Sequence, residues 1–208
     1  MTRGYAVVLT LMVLAAALFA GWYSTTRVIY FPPELREFRN GCERFEGGSL
    51  PVLDEDEAAR YAGALRAMEE PSLYLAAGAR APATFRLTVE PSFHPTWVVR
   101  IDSLPDGSRT ITSKLRSYPS SREPMQVRRR LLAPEEIAAL DAMIAGTGVL
   151  ETPLKCVGGV DGARWIVEAT DGQGGYTFVH SHSPMAGPVR EVGDHLFSLA
   201  DIRPEYLY

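Results

Sequence analysis

Two runs of alternating residues near the C-terminus leave this chain little choice of local structure. Arg164–Thr170 (RWIVEAT) and Tyr176–His182 (YTFVHSH) are rich in aromatic and β-branched residues, and Asp171-Gly172-Gln173-Gly174-Gly175 between them are turn formers. The spacing predicts an antiparallel hairpin with Thr170 and Tyr176 as its last pair. Glu168 then faces Phe178, Ile166 faces His180, and Arg164 faces His182. Side chains alternate between the faces of a strand, so one face collects Arg164, Ile166, Glu168, Thr170, Tyr176, Phe178, His180 and His182. The other takes Trp165, Val167, Ala169, Thr177, Val179 and Ser181, small and apolar enough to lie beneath a helix.

Upstream the same period recurs. Thr84–Glu90 and Thr96–Asp102 alternate, and Pro105-Asp106-Gly107 turns the chain into Ser108–Leu115. Gln126–Leu132 reads as a further strand, and its Arg128-Arg129-Arg130 suits a solvated sheet edge, where charge blocks edge-to-edge pairing. Helices are expected after Asp54, whose side chain can cap and whose acidic first turn suits the helix dipole, and from Pro134 to about Ala145. A last helix is expected over Val189–Leu199. Strands cluster with helices inserted and without βαβ alternation. The expected fold is α+β: a mostly antiparallel sheet of about five to six strands with two to three packed helices, preceded by one N-terminal transmembrane helix.

That last element comes from residues 5–23, YAVVLTLMVLAAALFAGWY, in which Thr10 is the only polar side chain apart from the tips of the aromatics. As a helix the run would span about 28 Å, close to the thickness of a bilayer's hydrocarbon core. It exceeds a typical signal-peptide core, its cleavage context is poor, and Trp22 and Tyr23 suit the membrane interface. An uncleaved anchor is therefore favoured over a cleaved signal. Arg3 favours an inside N-terminus, while Arg27, Arg36 and Arg39 pull the other way. Arg outnumbers Lys nineteen to two, a bias of GC-rich genomes that points to a bacterial source. The expected location is a single pass through the bacterial inner membrane with the C-terminal domain in the periplasm, or export after cleavage.

The chain divides accordingly into 1–23 as anchor or signal, 24–53 as tether and irregular lead-in, and 54–208 as one globular domain. Of 208 residues, 46% are hydrophobic and 22% charged, the composition of an ordinary globular protein. The net charge of −4 argues against a nucleic-acid partner. Cys42 and Cys156 invite a disulfide in an oxidising compartment, closing a loop worth at most about 4–5 kcal/mol; two buried free thiols are the alternative.

Function is harder to read. Arg164, Glu168, Tyr176, His180 and His182 form the one polar, aromatic face, and are the candidate binding residues. His180 and His182 could hold a metal if Glu168, Asp161, His195 or His94 supplied a third ligand. No dinucleotide, phosphate-loop or nucleophile-elbow spacing is present, so no cofactor and no catalytic residue is assigned. Asp161-Gly162-Ala163-Arg164-Trp165-Ile166-Val167-Glu168, then Gly175-Tyr176 and Ser183-Pro184, resembles a motif string, D-G-A-x-W-x-x-E … Y … S-P, of uncharacterised bacterial proteins. The resemblance covers about a quarter of the chain and implies a hairpin and a fold, with no reaction attached. Three functions remain open. The first is a non-enzymatic envelope domain that binds a protein or small molecule. The second is a small exported metal-dependent hydrolase using His180, His182 and Glu168. The third is an envelope immunity or inhibitor protein.

Overall fold

A computed structural model of the chain describes residues 29–37, 51–116, 124–154 and 161–203, and the backbone alone of 42–44 and 48–50. Residues 5–23, Cys156 and the side chain of Cys42 lie outside the described residues. Among the described residues, no helix is long and apolar enough to cross a membrane.

The domain is built on a six-stranded antiparallel sheet. After a short hairpin, β1 (Cys42–Arg44) and β2 (Gly48–Leu50), come helices α1 (Glu55–Ala67) and α2 (Leu73–Gly78). Strands β3 (Thr84–Pro91), β4 (Thr96–Ser103), β5 (Arg109–Arg116) and β6 (Gln126–Leu131) then run as a meander. Helix α3 (Pro134–Thr147) carries the chain back across the sheet. Strand β7 (Ala163–Thr170) therefore pairs with the free edge of β3, β8 (Tyr176–His182) adds to β7, and α4 (Pro188–Leu199) closes the chain. The order is β6-β5-β4-β3-β7-β8.

The fold class is the expected α+β, with four α-helices rather than two or three among the described residues. The helix missed is α2, only six residues long, which starts where Ser72 Oγ accepts a hydrogen bond from the Leu75 N–H at 3.1 Å. Asp54 caps α1 as its sequence suggests, accepting from the Glu57 N–H at 2.7 Å. Helix α3 starts on Pro134 and ends at Gly148, whose left-handed φ of 60° is the conformation glycine adopts without penalty.

Both faces of the sheet are covered. On one, Leu87, Val99, Ile111, Trp165, Val167 and Val179 pack against Leu140 of α3 and Val192, Leu196 and Phe197 of α4. Gly193 lets α4 approach this closely. A Cβ there would stand 2.3 Å from Trp165 Cζ3. On the other face, Val98, Ile166 and Phe178 meet Tyr61, Leu65 and Met68, which continue the stripe of α1.

The second face holds a departure from expectation. The stretch read as a tether and lead-in supplies core. Tyr30, Phe31, Leu35, Val52 and Leu53 are all buried. Phe31 packs edge-on against Tyr61 and Phe178, with centroids 6.4 and 5.6 Å away. The Tyr30 hydroxyl donates to the Glu70 carbonyl at 2.9 Å. The domain's core thus reaches back at least to Tyr30. Pro32-Pro33 suggested a stiff linker, but the two aromatics before them have enough apolar area to be driven inside.

Candidate functional site

The hairpin register is the one its loop length implies, with Arg164 opposite His182, Ile166 opposite His180, Glu168 opposite Phe178 and Thr170 opposite Tyr176. Asp171 closes the loop, its Oδ1 accepting from the Gln173 and Gly175 N–H groups at 2.7 and 2.8 Å. Those backbone donors hold its carboxyl below the ordinary value. The five candidate residues do share one face. The elements covering that face decide what they can do.

Glu168 is completely buried and fully engaged. Its Oε2 accepts from Arg86 Nε at 3.0 Å and Nη2 at 2.6 Å, across the β3–β7 pairing that sets the two residues opposite each other. Its Oε1 accepts from the Tyr176 hydroxyl at 2.8 Å. Burial first, then the Glu168 charge, hold the Tyr176 phenol well above its usual pKa. The Tyr176 ring also meets Tyr74 of α2 edge-on, at 5.6 Å. Burial alone would lower the Arg86 pKa, but the Glu168 and Glu70 carboxylates outweigh it and raise it, so the cation persists.

A second carboxylate extends this pair. Glu70, in the α1–α2 connection, is also buried. Its Oε2 lies 3.4 Å from Arg86 Nη1 and 2.8 Å from Arg100 Nη1, and its Oε1 lies 2.8 Å from Lys114 Nζ. Arg100 reaches on to Asp102 at 3.0 Å. Three cations from β3, β4 and β5 thus meet three carboxylates. Two of these cations, joined by Arg116, also satisfy carbonyls at and just after the end of α1. Lys114 Nζ donates to Met68 and Glu69 at 2.7 and 3.0 Å, Arg86 Nη1 donates to Pro71 at 2.7 Å, and Arg116 donates to Ala67. This is the chemistry of a closed structural network, in which each carboxylate is paired with a cation from within.

Arg164 pairs with Glu57 of α1 at 3.2 Å. His180 is buried beside Phe178, with ring centroids 5.4 Å apart. Burial, with the Arg164 charge adding to it, lowers the His182 pKa. Glu168 and His180 are diagonal neighbours as expected, yet both glutamate oxygens are aimed at Arg86 and Tyr176. Among the third ligands considered, His195 lies on α4, across the sheet, and His94 lies in the β3–β4 turn. Among the described residues, no three His, Cys, Asp or Glu side chains gather as metal ligands would.

An open site lies elsewhere. A cleft of about 350 Å³ separates the flank of α1 from the β3–β4 turn. Gly63, Ala64 and Ala67 form its helical wall, and Pro91 and Pro95 face them; Arg60 and Arg116 contribute positive charge. Gly63 faces open space, with nothing within 4 Å of where a Cβ would stand. The carboxylate is Glu90, whose Oε2 lies 3.6 Å from Arg60 Nη1, an ion pair too long for a hydrogen bond. Burial raises its pKa, against the pull of Arg60 and Arg164. The cleft is mostly apolar with charge at its margins, and suits a small apolar body carrying an anionic end.

Sequence reading missed Arg86, Glu70 and this cleft. Arg86 gave a signal, since alternation puts it with Thr84 and Thr88 in mid-strand, where a charge needs a buried partner. Small residues at 63, 64 and 67 of α1 gave another, because they fall on one flank of the helix.

No protein-family model matches the chain, and no curated protein matches it significantly.

Proposed function

We propose that this chain is a bacterial envelope protein, anchored in the membrane by residues 5–23, whose domain outside the cytoplasm binds a partner or ligand and catalyses no reaction. The observation that carries the binding half of this reading is the closed coordination of Glu168. The face richest in chemistry-bearing residues spends them on Arg86, Tyr176 and Glu57, while the cleft beside α1 stays open to solvent. The apolar run carries the location.

The cleft is the binding site of this reading. A photoreactive amino acid at Ala64, in full-length protein in membranes of the source cell, tests it. A discrete adduct is expected, and Gly63→Trp should abolish it without lowering thermal stability. Labelling at Ala64 no stronger than at Leu131, which is exposed at the other end of the sheet from the β3–β4 turn, would contradict the reading.

A further inference from the structure

The first residues of the core bear on how the domain sits. Tyr30 and Phe31 are locked into it, so the domain has no free tether after Ile29. Only residues 24–28 separate Ile29 from Tyr23, the end of the apolar run. At full extension that stretch reaches at most about 20 Å. If residues 5–23 enter a bilayer, the surface around Ile29 is held beside it.

Two aliphatic side chains stand out on that surface. Ile29 is 48% exposed and Leu75 of α2 is 47% exposed. One hydroxyl joins them. Ser72 Oγ donates to the Ile29 carbonyl at 2.6 Å and accepts from the Leu75 N–H at 3.1 Å. Arg66 lies close by, its guanidinium 5.7 Å from the Tyr30 ring centroid. Helix α2 is backed by β7 and β8. Aliphatic side chains beside a long cationic one match the boundary between acyl chains and headgroups.

We propose that the Ile29–Leu75 face rests on the lipid surface of the same membrane that residues 5–23 enter. This rests on the anchor reading given above. The occupant is lipid because the chain itself holds this patch within reach of the bilayer, whereas Val127 and Leu131 of β6 and Met185 after β8 are exposed with no such constraint.

The test uses full-length protein in vesicles of phosphatidylcholine and phosphatidylglycerol, with a fluorescent amino acid at Leu75 or, as a control, at Met185, which lies at the opposite end of the β7–β8 hairpin. Lipids spin-labelled near the headgroup act as quencher. Quenching at 75 is expected to exceed that at 185 by about two-fold or more, with the protein floating with the vesicles. Floating protein with equal quenching at the two positions would overturn the proposal and leave the anchor standing. Protein that does not float would overturn the anchor, and the proposal with it.

Discussion

Arg86 and Glu168 face each other across β3 and β7, wholly buried, with Nη2 and Oε2 2.6 Å apart. They lie eighty-two positions apart in the chain. The pair fixes the register of the return strand against the meander, and Glu70 extends it to β4 and β5 through Arg100 and Lys114. A buried pair adds little net stability over an apolar one, but losing one partner strands the other charge. Arg86→Leu should therefore cost about 3–5 kcal/mol. The double variant Arg86→Leu, Glu168→Leu should recover much of that loss, although it leaves Glu70 one cation short. Urea unfolding of both single variants and the double completes the cycle. Additive losses would show that the two residues do not act as a pair.

Two glycines on opposite sides of the sheet should respond in opposite directions to the same change. Gly193→Ala places a methyl 2.3 Å from the buried Trp165 ring, which is further confined by Phe197 at 5.7 Å. Overpacking there should cost about 1–3 kcal/mol. Gly63→Ala adds a methyl in open space on a helix and should stabilise by up to about 1 kcal/mol. Thermal melts of the two variants would check the contrast, and equal shifts would refute it.

Acid should loosen the junction of β6 with α3. Glu136 accepts from Arg130 Nη1 and Nη2 at 2.7 Å each and from the Ala133 N–H at 2.8 Å. Arg130 also donates to the Leu199 carbonyl at 2.7 Å, which ties in α4. Those hydrogen bonds, Arg130 first, lower the Glu136 pKa from 4.5 to about 2. A folded-state pKa below the unfolded one gives stability that is complete above about 4.5 and lost as pH falls toward 2. Because the pair is partly exposed, its worth is about 1 kcal/mol. The stability gap between wild type and Glu136→Gln should thus be constant near neutrality, shrink below about pH 4.5 and vanish below about pH 2. A gap unchanged at low pH would count against it.

The hairpin was legible because its determinants are local. A period of two and a five-residue loop leave one register, so Arg164, Glu168, Tyr176, His180 and His182 could be placed on one face. What lay opposite that face was not legible. Arg86 and Glu70 come to Glu168 through pairings made far along the chain, and alternation reveals a strand's faces without revealing its neighbours. Helix α2 escaped notice because LYLAAG is too short for a helical period to show. Tyr30 and Phe31 were hidden by the prolines after them. The cleft was hidden because it is made by small residues, and its other wall is a turn from a different part of the chain.

Where the domain is held decides whether the account stands. A C-terminal fusion to a reporter enzyme active only outside the cytoplasm, combined with alkaline extraction of membranes, measures it directly. The fusion should be active and should stay in the membrane pellet after extraction. An inactive reporter, or a chain recovered in the soluble fraction, would contradict an anchored domain facing outward.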